Sequence, residues 1–359
     1  MVFKNIKMVL LSMSIMFIVG CGESNTYDGE NGLITSNRST TSIDVALKNI
    51  FDEVIYKDAN ETYSQSLVLI SSIEELNTTT NETKLIQAQS AFKELVLHYK
   101  RVEAVYVAGY NSDYMKDIAE FDLEHYVKGS KSQDTAGDLD AVFAGTKSLV
   151  ANSLKGITAL EYTLFGTQED AMDLVAKMNQ NRLTSALIMS KKITKHLLEV
   201  KDYYKDTSRF ALDEEESVSA LLNVLVQQAL NLKDIRIGEG AGLVIKYKDN
   251  PSATRLEYYY SSYSLEAIKE ILQAYKRVID NGLESIAELG SARSEVDALS
   301  TSLREALEIC ESYVSTLENE ISEQKTKDLY EAIRLIQNNF TALIVGLNFE
   351  QDILEADGD

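Results

Sequence analysis

One proline, Pro251, stands in a chain of 359 residues. Proline removes a backbone donor and clashes with the preceding turn, so its near absence leaves helices free to run long. With only 17 glycines as well, the chain lacks the turn punctuation that sandwiches and barrels require. Apolar residues recur in steps of three and four rather than two, which is the helical period. In 264–289 the series is Leu265, Ile268, Leu272, Tyr275, Ile279, Leu283 and Ile286. Val296, Leu299, Leu303, Leu307, Cys310, Val314, Leu317 and Ile321 continue it, and the junction Gly290-Ser291 predicts an antiparallel hairpin of the two. Further helices are expected at 42–76, 83–109, 140–165, 168–205, 214–234 and 326–345, with Thr167 capping the long helix 168–205 and Ser264 capping the helix that it opens. Val218 to Leu232 is apolar almost all round and should lie centrally.

The fold class expected is all-α, with two helical-bundle domains, 42–206 and 207–359, because a single up-down bundle uses four helices. The stretch 235–263 interrupts the second bundle. Its Gly238, Gly240 and Gly242 do not make a phosphate loop, since no βαβ pattern surrounds them and Glu239 sits where a phosphate would lie.

Lys and Arg number 35 against 56 Asp and Glu, a net charge of −21. Such a balance repels phosphate backbones and excludes nucleic acid as an expected partner. The acidic bands Glu214-Glu215-Glu216 and Glu318 to Glu323 read as helix caps and exposed faces.

Lys4 and Lys7 precede an apolar run from Met8 to Val19, followed by Gly20 and Cys21, the order of an export signal and too short a run to span a bilayer. The junction Ile18-Val19-Gly20-Cys21 resembles a bacterial lipoprotein signal, which implies a removed segment 1–20 and lipid on Cys21. At about 0.8 kcal/mol per buried methylene, several acyl chains anchor firmly. The membrane, reached through that lipid, is therefore an expected partner, and residues 21–41, rich in Gly, Ser, Asn and Thr, read as a flexible tether. The expected location is the cell envelope, on the outer membrane or facing the periplasm. Cys310 is then the only other thiol, on an apolar stripe that predicts burial.

Chemistry concentrates in Leu154 to Gly166, where Thr158 and Glu161 lie three residues apart and so on one helical face, able to address one ligand or cation. Gly156 allows close approach of a neighbouring element. From spacing alone, a core helix with a satisfied or surface Glu161 is the simpler reading. The letters Gly156, Glu161, Tyr162, Leu164, Phe165 and Gly166 nevertheless resemble the imelysin family, the M75 peptidase-like proteins that include iron-regulated periplasmic proteins. Its signature is Gly-x-His-x-x-Glu followed by Tyr and a Leu-Phe-Gly-like end. Gly346-Leu347-Asn348-Phe349 with Asp357-Gly358-Asp359, the loop Arg236 to Gly242, and Glu257 with Tyr260 and Ser261 extend the resemblance along nearly the whole mature chain.

That resemblance implies two helical bundles packed together with a site in the cleft between them. It nominates Glu161 as the ligand or metal contact, Thr158 as its altered partner and Gly156 as the steric allowance. Arg101 and Glu103, from the charged stretch upstream, and Arg236, Glu257 and Ser264, from the loop, are further ligand-binding candidates. Thr158 stands where the family has histidine, and a neutral hydroxyl is a poor ligand for a hydrolytic metal, which needs about three protein ligands. His98, His125 and His196 show no His-Glu-x-x-His spacing, and no Gly-x-Ser-x-Gly elbow exists.

Three functions follow as expectations. The first is a lipoprotein binding iron or another divalent or trivalent cation, or a peptide-like ligand, without cleaving it, alongside envelope iron-uptake components. The second is an M75 metallopeptidase with His98 or His125 reaching the cleft. The third is a helical interaction scaffold without a small ligand.

Overall fold

The structure, a computed structural model, describes residues 40–119, 135–205 and 214–349. The signal segment 1–20, Cys21, most of the tether, His125 and the ending Asp357-Gly358-Asp359 lie outside those residues. Everything described is helix, turn or loop, without an extended strand, and no helix among the described residues is long and apolar enough to cross a membrane.

Helix α1 (Thr40–Ile50) runs through a π turn at Phe51–Tyr56 into α2 (Lys57–Thr78), which turns back into α3 (Glu82–Ala104). The reversal is set by Asn81, whose side chain caps α3 by accepting from the Lys84 amide at 2.9 Å. A short helix, α4 (Ile157–Phe165), precedes α5 (Gln180–Tyr204), and α2, α3 and α5 pack together with α4 against α3 and α5. The second half consists of α6 (Glu214–Asn231), α7 (Ser264–Val278), α8 (Arg293–Glu311) and α9 (Gln324–Gly346), with α9 against both α6 and α8.

The halves share one continuous hydrophobic core, in which α3 meets α7 and α1 lies on α6 and on the π turn Ile279–Leu283. A methyl group at Gly282 would sit 2.5 Å from the Ala46 carbonyl oxygen, so only glycine lets α1 come this close. Asp58 of α2 accepts two bonds from Arg277 of α7, at 2.8 and 2.6 Å, a fork that fixes orientation as well as distance.

Helix α6 is buried on nearly every side, as its all-round apolar sequence predicts. Three local expectations need correction. The stretch 140–165 is not one helix: it ends at Phe143, Gly145 turns at φ 75°, a single 3-10 turn forms at Asn152–Leu154, and α-helix resumes only at Ile157. The long helix starts at Gln180, capped by the Asn179 side chain on the Arg182 amide at 3.0 Å rather than by Thr167. The stripe through Val314 breaks because α8 stops at Glu311, leaving Val314 fully in solvent while Leu317 returns to the core.

Candidate functional site

Every residue of α4 is buried, the outcome expected for a helix apolar on all sides. Gly156 is its N-cap, in extended conformation. At the other end Gly166 adopts φ 62° and ψ −135°, a region open essentially to glycine alone, and a methyl there would stand 2.9 Å from Glu169 Oε1. The last carbonyls of a helix have no intrahelical partner. Arg182 takes those of Thr163 and Tyr162, at 2.9 and 3.1 Å, and Gln89 takes that of Leu164 at 2.8 Å. A cation at a helix C-terminus also complements the macrodipole, so α4 is held rigidly by α3 and α5.

Glu161 is 1 % exposed. Its Oε1 accepts from the Ser261 amide at 2.8 Å and from Ser261 Oγ at 2.7 Å, and it forms no ion pair. Burial pushes its carboxyl up to about 8; the Ser261 bonds oppose this, and the charges of Glu318 and Glu257 add to it. At neutral pH the group is therefore mostly protonated, a neutral donor and acceptor inside the protein. Thr158, one turn earlier, is equally buried.

Ser261 belongs to the turn 256–263, which the first half of the chain grips at three points. Glu161 holds Ser261. Gln168 Nε2 donates to the Tyr259 carbonyl at 2.5 Å and to Ser262 Oγ at 3.2 Å. The third grip is ionic: Lys100 of α3 donates to Glu103 and, at 2.6 Å, to Glu257. Arg236, from the π turn Leu232–Gly238, closes the square on Glu103 and, with Nε at 3.3 Å, on Glu257. Two cations thus face two carboxylates, all four side chains shielded from water. A buried charge is tolerated where it is paired in this way. The ring of Tyr258 lies 5.2 Å from Lys100 Nζ, and Tyr260 meets Tyr162 edge-on at 4.9 Å.

The structure brings Glu103, Arg236 and Glu257 into one network and sets Glu161 on the neighbouring Ser261. Arg101 is placed elsewhere, partly exposed, with Glu270 of α7 at 2.7 Å and Glu61 at 3.9 Å. Its neighbour Lys100 is the buried cation. The sequence carried a signal for it: Leu85, Ala88, Phe92, Val96, Lys100 and Glu103 follow one helical stripe, so Lys100 continues the core face. Ser264 opens α7, where its amide donates to Glu318 Oε1 at 3.2 Å. Glu318, expected on an exposed face with the acidic band, is instead buried, and burial raises its carboxyl pKa.

The residues present do not fit a resident hydrolytic metal. No group of three or more His, Cys, Asp or Glu side chains among the described residues could hold an ion. His98 faces Glu61 with Nδ1 at 3.8 Å, and His196 Nδ1 lies 2.9 Å from Glu199, so neither histidine is turned to Glu161.

Fold and site together define an all-helical protein with a buried carboxylate pinned by a turn from the opposite half of the chain. The sequence profile of the Imelysin (Peptidase M75) family matches residues 55–343, and the chain belongs to that family. The fold is similar to an imelysin-like protein from Psychrobacter arcticum 273-4, with a TM-score of 0.71 and 15% identity over 88% of this chain and 98% of that one. It is also similar to a candidate iron-regulated protein A precursor from Parabacteroides distasonis ATCC 8503, with a TM-score of 0.69 and 10% identity over 87% and 97% of the two chains. No curated protein matches the sequence.

Proposed function

We propose that this member of the imelysin family is an envelope lipoprotein, exported by segment 1–20 and anchored through Cys21, that takes iron or another cation as cargo at Glu161 and does not cleave peptides. One observation carries the reading: Glu161 is buried without a counter-cation, while the nearby Lys100 and Arg236 are already matched by Glu103 and Glu257. What the junction lacks is positive charge. A desolvated carboxylate with no counter-ion is costly as an anion, even with the Ser261 bonds, and is relieved by a proton or a cation. The iron-regulated name of a similar structure supports iron as one such cation. Hard ions of this kind prefer oxygen donors.

The absence of hydrolysis rests on Thr158, a neutral hydroxyl where the family signature carries histidine, and on the two described histidines being engaged elsewhere. The test is equilibrium dialysis of the lipid-free protein against Fe(III), Zn(II) and Ca(II), with Glu161→Ala in parallel. At least one ion is expected to bind the parent and not the variant. Equal binding by both, or none by either, removes cation uptake at Glu161. Chelator-sensitive digestion of a peptide library would restore the metallopeptidase reading.

A further inference from the structure

The two most exposed large hydrophobic side chains among the described residues are Ile245, at 96 %, and Val314, at 91 %. A lone aliphatic in water is ordinary. These two, however, stand on adjoining loops at one end of the second half. Ile245 follows the π turn Leu232–Gly238, Val314 follows α8, and the short helix Leu317–Glu320 packs on the turn Ala253–Arg255. The loops come close, since a methyl on Gly240 would stand 3.4 Å from Ile321 Cδ1.

The loop that carries Ile245 is fastened at its base. The Leu243 amide donates to the Gly238 carbonyl, that of Asp249 to Gly242 and that of Ser252 to Gly240, at 2.9, 2.9 and 2.7 Å. Arg255 donates to the Asn250 carbonyl at 2.6 Å and lies 4.1 Å from the centre of the Tyr247 ring. Gly242 turns at φ 70°, where a methyl would meet the Asn250 and Pro251 backbone at 2.9 Å. A 3-10 turn, Ile245–Tyr247, thus holds isoleucine outward on a braced loop, with Lys246 and Lys248 exposed beside it. Neither lysine has a carboxylate partner among the described residues. From Leu243 to Arg255 the cations Lys246, Lys248 and Arg255 face one acid, Asp249, a local balance of +2 in a chain of −21. Beside Val314, Glu311 is answered by Lys269 at 3.4 Å and Glu320 by Lys325 at 2.5 Å, which leaves Glu323 as an exposed acid.

We propose that this end of the molecule docks on a lipid bilayer carrying anionic head groups, with Ile245 and Val314 entering the boundary between head groups and acyl chains while Lys246 and Lys248 meet the phosphates. Apolar side chains flanked by lysine suit that boundary. Charge complementarity selects this occupant. A negative surface repels most of an acidic chain and attracts a loop whose cations outnumber its acids and stand unpaired. The lysines of α5 differ in this respect, because Lys191 and Lys195 have Glu74 and Glu199 at 3.6 and 3.5 Å. The contact goes beyond the anchor on Cys21 proposed above and does not depend on it. The 19 residue steps from Cys21 to Thr40 span at most ~65 Å, so such an anchor would hold a bilayer within reach.

The chain has no tryptophan, so Ile245→Trp supplies a single emitter at the tip without touching the core. Full-length protein, expressed with segment 1–20 in place, is mixed with vesicles of equal parts phosphatidylcholine and phosphatidylglycerol, or of phosphatidylcholine alone. Each is also prepared with brominated acyl chains, which quench tryptophan on contact. A blue shift and quenching are expected with the anionic vesicles and little of either with phosphatidylcholine. Adding Lys246→Glu and Lys248→Glu is expected to lower docking at least about tenfold. Val68→Trp, at an exposed site on α2, is expected to stay unquenched. Emission at position 245 indifferent to anionic vesicles, equal quenching by both vesicle types, or equal quenching at position 68 overturns the proposal. Mass spectrometry of Cys21 scores the anchor separately: quenching at 245 without acylation keeps the docking surface and removes the anchor, and acylation without quenching does the reverse.

Discussion

Exchanging Glu161 for glutamine changes one proton-binding group in the core and little else. The amide oxygen can still accept from the Ser261 amide and Oγ, which meet Oε1 at 2.8 and 2.7 Å. The carboxyl has an ordinary pKa of 4.5 and one of about 8 when folded. An acid whose pKa is raised by folding holds its proton more tightly in the folded chain, so between these limits the folded state carries more protons than the unfolded one. Stability must then fall as pH rises through that window, and the contribution is fully present only below 4.5. Each pH unit is worth ~1.4 kcal/mol, so the parent loses up to ~5 kcal/mol across the window relative to Glu161→Gln. The amide NH2 adds an offset that does not vary with pH, so the slope is the quantity to read. Urea unfolding of both lipid-free proteins at pH 5, 7 and 9, with other carboxyls common to the two, is expected to show the variant gaining on the parent at each step. A difference that stays flat, or shrinks with pH, would refute the claim that Glu161 is an unpaired buried acid.

Removal of Lys100 alone, as Lys100→Met, leaves Glu103 and Glu257 facing only Arg236 and is expected to cost ~3–5 kcal/mol in urea unfolding. Adding Glu257→Gln restores the charge balance, and a double-mutant cycle should recover part of that loss. Strictly additive losses would contradict the network. Gly282→Ala drives a methyl into the Ala46 carbonyl and should cost ~1–3 kcal/mol, with faster hydrogen exchange in α1. Unchanged exchange there would show that the close approach is not required. Cys310 is buried, and burial pushes its thiol up to about 12. A disulfide reagent should therefore label it only at the rate of unfolding, and rapid labelling of the native protein would contradict its placement.

Much of the fold can be read from the chain because helical periodicity is a local signal and almost no proline interrupts it. Cys310, the surrounded helix α6 and the pairing of α7 with α8 all follow from stripes. The break after Phe143 does not, since Leu149 and Val150 continue an apolar appearance through residues that the fold leaves in loop. The cap at Asn179 was equally hidden behind a competing Thr167. At the site, Glu103, Arg236 and Glu257 are named by family letters and meet in space, but the choice between Arg101 and Lys100 depends on which face α3 turns inward. Glu318 shows why charge runs mislead. Its neighbours Asn319 and Glu323 do face water, so the band as a whole reads as solvated. Only the docking of Leu317–Glu320 beside the start of α7 draws this one carboxylate inside.

X-ray diffraction from crystals of the lipid-free protein grown with Fe(III), with anomalous scattering recorded at the iron edge, addresses the central claim most directly. The account predicts an anomalous peak within ~2.5 Å of a Glu161 carboxylate oxygen. Iron bound elsewhere on the surface, with Glu161 still holding only Ser261, would contradict it.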